Sequence, residues 1–431
     1  MTRRVAYVNA RLIDPASGLD AAGGLLTEDG KIAALGPRLF AEGAPEGAER
    51  IDCGRAVLAP GLIDLRVQIC EPGEEHKEDI VSASLAAAAG GVTAIVALPD
   101  THPPIDDVAL VEFIARRARE AKLVKVFCHA AVTRGLAGQE IAEIGLLQEA
   151  GALAFTDGRR AVASAAVMAR ALTYARGFDA LIMQHPEEPE LAAGGDMNAG
   201  EMATRLGLSG IRPEAELIML ERDLTLAAMT GGRYHAAHVS TAAAVARLRR
   251  AKAEGQNVTC DTAPHYFALN ELAVGDWRTF AKVSPPLRSE ADRQAVVAGL
   301  ADGTIDIIAS DHAPQDQDSK RLPFAQAAPG IVGLETLLPL TLELVEQGRI
   351  RLMDALDRLT RRPAELLGLP LGTLAVGAPA DLVLFDPGTP WKVEAARFRS
   401  KSKNTPFDGR PLQGRVLRTV VDGRTVFAAG G

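Results

Sequence analysis

Four short stretches of this 431-residue chain place histidine or aspartate where an apolar run stops: F-T-D-G with Asp157, M-Q-H-P-E-E with His185, H-A-A-H-V-S-T-A with His238, and A-S-D-H-A-P with Asp311. Imidazole and carboxylate are side chains that can hold a divalent metal ion or carry a proton near neutral pH. A lone His or Asp after a strand is more often a cap or a hydrogen-bonded core group. Four at the ends of strand-like runs are less easily accidental, and they suggest one catalytic rim.

The runs that must position them are Leu62–Val67, Val92–Leu98, Val124–His129, Ala152–Thr156, Ala180–Gln184, Tyr234–Ala237, Asn257–Cys260 and Ile305–Ser310. Helical segments of about 10–15 residues separate them, the rhythm of repeated βα units. Asp107 is placed to cap one helix, whose Val111, Ile114, Ala115 and Ala118 fall on one stripe, and Ser240 to cap another that ends at Gly255. Eight such units predict an α/β fold, a (β/α)8 TIM barrel over residues 57–367, with its chemistry at the carboxyl ends of the strands. Residues 1–56 and 368–431 have a different texture, short alternating strands with turns such as Asp29-Gly30 and Asp422-Gly423. The two chain ends are expected to meet as one small β-sandwich.

Composition is globular, 47% hydrophobic and 24% charged. No apolar run reaches a membrane span and no charged-then-apolar leader is seen, so no membrane is expected and a soluble, cytoplasmic protein is. A net charge of −8 argues against a nucleic-acid partner. Cys53, Cys70, Cys128 and Cys260 are widely spaced without a C-x-x-C pair, which predicts reduced, buried thiols.

The remaining polar cluster lies in Ala59–Gly73, A-P-G-L-I-D-L-R-V-Q-I-C-E-P-G, where Arg66, Gln68 and Cys70 share one face of the first barrel strand. P-G-L-I-D-L followed five residues on by E-P-G-x-E-x-K-E-D resembles the dihydroorotases of the metal-dependent amidohydrolase superfamily, as do H-V-S-T-A, K-V-S-P-P-L-R at 282–288 and A-S-D-H-A-P. The resemblance spans nearly the whole chain and itself implies a barrel with a terminal β-sandwich. In that family the strand continues His-x-His-x-Arg, two inner-metal ligands and an arginine for the substrate carboxylate; here those places hold Arg66, Gln68 and Cys70. The resemblance further implies that Asp157, His185 and His238 serve the outer metal, with Asp157 where relatives carry a carboxylated lysine. It gives Asp311 to the inner metal and to general base catalysis.

Other places depart from the family pattern as well. Asp100, in L-P-D-T, replaces a substrate-contacting asparagine, Ser284 stands where asparagine is usual, and Gln315 where histidine would follow D-H-A-P. Zinc donors are N, O or S atoms in near-tetrahedral array, and a guanidinium is not among them. The expectation is that the inner metal is lost, that zinc is absent or at most one ion at the outer place, and that Arg66 pairs with Asp157 or Asp311. The function expected is that of a dihydroorotase-like protein without catalysis, a structural partner of aspartate transcarbamoylase and a homo-oligomer. The alternatives are a single-metal dihydroorotase, active or weak, and a hydrolase of another cyclic amide.

Overall fold

A computed structural model describes residues 3–41 and 43–430. The N-terminal strands β1 (Arg4–Asp14), β2 (Leu19–Glu28), β3 (Lys31–Gly36), β4 (Glu49–Asp52) and β5 (Val57–Pro60) join the C-terminal strands in one eight-stranded sheet. The junction is β5, which runs parallel to β1 and antiparallel to the returning strand that begins at Leu382. Residues 57–60, expected in the barrel, therefore lie in the sandwich. Its core collects Tyr7, Leu12, Leu25, Leu58 and Leu382 among others.

The barrel begins at β6 (Leu62–Val67) and continues through β7 (Val92–Ala97), β8 (Lys125–Cys128) and β9 (Leu181–Gln184). After a two-stranded excursion, β10 (Met197–Asn198) with β11 (Gly210–Ile211), it closes through β12 (Arg233–Ala236), β13 (Val258–Thr262) and β14 (Ile307–Ile308). All neighbouring barrel strands are parallel, and every residue of β6 and β7 is buried, as expected of a sheet covered on both faces. The fourth strand is reduced to Phe155, bridged to Ala130 on one side and Ile182 on the other. The eighth is two residues long and hands the closure to a Val67–His312 bridge. The chain completes the sandwich with β15 (Leu382–Lys392), β16 (Pro411–Val421) and β17 (Arg424–Ala428).

Two glycines set the entry to and exit from β6. A Cβ on Gly61 would lie 2.2 Å from the Thr93 side chain of β7. Gly73, at φ +106°, would meet the His102 carbonyl at 2.3 Å. Asp107 caps Val108–Ala121 as expected, accepting from the Ala109 amide at 2.8 Å. Helix Ala242–Ala253 is capped by Thr241 instead of Ser240, whose hydroxyl is drawn to the buried Glu216 carboxylate. All four cysteines are buried free thiols. Among the described residues no helix is long and apolar enough to cross a membrane.

Candidate active site

β6 alternates around the barrel wall, so Arg66 projects to the interior and is fully buried. Its Nε lies 3.4 Å from Asp311 Oδ1, and its Nη2 is 3.3 Å from His238 Nδ1. His238 Nε2 in turn is 2.6 Å from His185 Nδ1, and His185 Nε2 is 3.5 Å from Glu187 Oε2. His238 Nδ1 is also 3.3 Å from Asp311 Oδ2, so its tautomer decides between accepting from Arg66 and donating to Asp311, while His185 can turn an N–H to Glu187. His185, His238 and Asp311 thus converge at one end of one barrel. Arg66 pairs with Asp311 and not with Asp157.

Charge settles the protonation states. Burial alone would raise the Asp311 carboxyl, but His238 and the Arg66 guanidinium outweigh it and hold it well below the usual carboxylate range. Burial, then Arg66, pushes His238 down to about 4, so its imidazole is neutral at pH 7. His238 and Asp311 are both held in left-handed backbone, φ +36° and +49°, a conformation uncommon for non-glycine residues.

The substituted positions are also joined. Gln68 Nε2 donates to Asp100 Oδ2 at 2.6 Å, and Arg159 reaches the same oxygen from 3.4 Å while its Nη1 donates to the Pro329 carbonyl at 3.4 Å. Gln315, 4% exposed, donates its amide to Pro329 as well, at 3.2 Å. Arg159, His265, Ser284, Asp311 and Pro329–Ile331 surround a cavity of about 10 Å³, room for one water at most. Cys70 is buried, and burial pushes its thiol well above the usual range.

Asp157 makes its hydrogen bonds to the loop after β8. Its Oδ1 accepts from the Val132 and Thr133 amides at 3.0 and 2.9 Å, and its Oδ2 takes the Thr133 hydroxyl. The carboxylate ties the loop after β8 to the fourth strand, and among the described residues it makes no hydrogen bond to either imidazole. Conversely, four residues not singled out from sequence belong to the constellation: His265, Glu187, Arg288 and Glu216. His265 Nε2 lies 3.9 Å from Asp311 Oδ2, and the buried Arg288 sits 3.8 Å from Glu187 Oε1 and 3.7 Å from Glu216 Oε2. Arg288 closes K-V-S-P-P-L-R and Glu187 lies within M-Q-H-P-E-E, so both were within reach of the motifs.

Could these residues hold a metal? At the inner place Arg66 has no lone pair to offer, and Gln68, whose Nε2 donates to Asp100, could offer only a neutral amide oxygen, a poor donor beside imidazole. At the outer place the two imidazole nitrogens stand 2.6 Å apart, a hydrogen-bond separation. Two nitrogens each ~2.0–2.1 Å from a tetrahedral zinc would lie ~3.3 Å apart. Among the described residues no group of three or more His, Cys, Asp or Glu side chains is arranged to hold an ion. Arg66 and Gln68 are thus poor donors at the inner place, while at the outer place His185 and His238 are hydrogen-bonded to each other.

A parallel barrel with a two-ended β-sandwich, and histidines and an aspartate converging at its carboxyl rim, define an amidohydrolase-type protein. Comparison with known proteins agrees: residues 54–244 match the family described as dihydro-orotase-like, and residues 220–427 the amidohydrolase family. The dihydroorotase of Anaplasma phagocytophilum is 48% identical, covering 99% of this chain and 95% of that one. The dihydroorotase of Geobacter sp. is 47% identical over 97% and 98%. Among solved structures, the L-hydantoinase (dihydropyrimidinase) from Arthrobacter aurescens superposes with a TM-score of 0.88 at 28% identity, over 100% of this chain and 97% of that one. This chain belongs to the dihydroorotase family. Amidohydrolases are generally metal-dependent, and at two of the family's metal-ligand positions this chain carries Arg66 and Gln68.

Proposed function

We propose that this chain serves pyrimidine biosynthesis as a non-catalytic member of the dihydroorotase family, whose role is to bind and organise aspartate transcarbamoylase. The observation that carries the proposal is the Arg66 guanidinium, fully buried and paired with Asp311 at 3.4 Å where family members place a metal-binding histidine. A fixed cation there supplies the positive charge that a metal would supply, but it cannot generate a hydroxide nucleophile at neutral pH. A complete barrel and sandwich kept around a site without hydrolytic chemistry suits a role that depends on surface.

The test is co-purification with the aspartate transcarbamoylase of the same organism, together with assembly and activity of that enzyme alone. The proposal expects association at micromolar concentration and a transcarbamoylase that assembles or works poorly without this chain. A transcarbamoylase fully assembled and active alone, with no association, overturns it. The His185–His238 pair favours a second reading, a single-metal cyclic amidohydrolase using the outer place; zinc-dependent turnover of dihydroorotate would establish that reading instead.

A further inference from the structure

The helices that ring the barrel are uneven. Val108–Ala121 and Ala165–Arg176 have 14 and 12 residues, but Ile144–Glu149 between them has six. At about 1.5 Å per residue the short helix covers about 9 Å of barrel where its neighbours cover about 18–21 Å. The shortfall leaves large apolar groups in water: Leu146 is 55% exposed and Phe178 44%. Two hollows flank the short helix. One, of about 840 Å³, lies toward Val108–Ala121 and is floored by Leu123, Val126 and Phe127. The other, of about 690 Å³, lies toward Ala165–Arg176 and includes Ile141 and Phe178.

The charge at this notch is lopsided. Arg119, Lys122 and Arg424 border the larger hollow and Arg170 the smaller, and among the described residues none of the four makes an ion pair. Asp422, the carboxylate at the larger hollow, shares Lys125 with Asp381, at 2.8 and 2.5 Å, and is only partly compensated. Unpaired carboxylates nearby are Glu112 and Glu149, so cations are in local excess on a chain whose net charge is −8. That excess disfavours a second copy of this chain as occupant, because a two-fold contact would set the cations against their own copies.

We propose that the notch seats an amphipathic helix of the partner protein, its apolar ridge in the two hollows and carboxylates along its flanks, completing a ring that is short of helix at this point. The proposal rests on the partner reading given above. It commits to an acidic protein segment, since an apolar floor with a cationic border is the complement of that chemistry.

The probe is the aspartate transcarbamoylase of the same organism, with binding measured on full-length chains by calorimetry at low and high salt. Three variants suffice: Arg119→Glu with Lys122→Glu, Leu146→Asp, and, as a control on a distant helix, Arg250→Glu. All are at exposed positions, and thermal melts confirm that each is folded. The two notch variants are expected to weaken binding by about tenfold or more and the control to leave it unchanged, with the charge variant's deficit shrinking as salt rises. If the wild type binds and both notch variants bind equally well, the notch is overturned and the partner reading stands. If the wild type does not bind, both fall together.

Discussion

The carboxamide of Gln68 donates to the carboxylate of Asp100 at 2.6 Å. Each residue departs from the family's pattern, and the two departures meet: a neutral donor just after β6 faces an anion on the loop after β7. A charge-assisted bond in a largely buried setting predicts coupling. Gln68→Ala and Asp100→Ala should each destabilise the protein, and the double variant should cost less than their sum by about 1–2 kcal/mol in denaturant unfolding. Additive effects would mean that the two substitutions are independent.

Arg66 is predicted to be the more costly loss. Arg66→Met leaves Asp311 buried without its counter-charge and should destabilise by about 3–5 kcal/mol. Adding Asp311→Asn removes the orphaned charge and should recover at least half of that cost. Chemical denaturation of the three proteins checks the order.

Restoring the two family histidines tests the donor argument directly. Arg66→His with Gln68→His should give a protein that takes up zinc in titration while turnover of carbamoyl aspartate stays undetectable, because Cys70 and Asp100 still lack the groups that hold an anionic substrate. Zinc uptake and turnover appearing together would show that those two positions do not matter.

Burial pushes His129, His238 and His265 down to about 4. Their unfolded value is about 6.5, so on acidification the unfolded chain takes the proton first, and each contribution is complete above ~6.5 and lost as pH falls toward 4. Asp64 and Asp223, raised to about 6 by burial, act in the opposite sense, losing their contribution as pH rises through that value. A variant separates the two. The stability of wild type relative to His129→Gln should grow between pH 4 and 6.5, by up to on the order of 3 kcal/mol, and be flat above pH 7.

The sequence carried the first barrel strand to the residue, because a short apolar run lies between two Pro-Gly or Gly-bearing turns and needs no tertiary context. It did not show that the fourth strand shrinks to Phe155, since bridge length depends on the neighbours' register. In Ser240-Thr241 both residues can cap a helix; Glu216, a residue 24 positions earlier, decides between them by taking the serine. Asp157 is the clearest case at the site. A carboxylate after a strand reads as a ligand or a cap with equal ease, and only the position of the Val132 and Thr133 amides shows that it is tied down. Glu187 and Arg288 were hidden for the converse reason, being brought together across 101 residues of chain by the barrel.

The most direct test of the central claim, that a guanidinium has taken the inner metal's place and hydrolysis has been lost with it, is elemental analysis of the purified protein coupled to a dihydroorotate assay at high protein concentration. The account predicts zinc, manganese, cobalt and iron all far below one equivalent, and no turnover above background with or without added zinc. A stoichiometric metal with turnover abolished by a chelator and restored by zinc would contradict it.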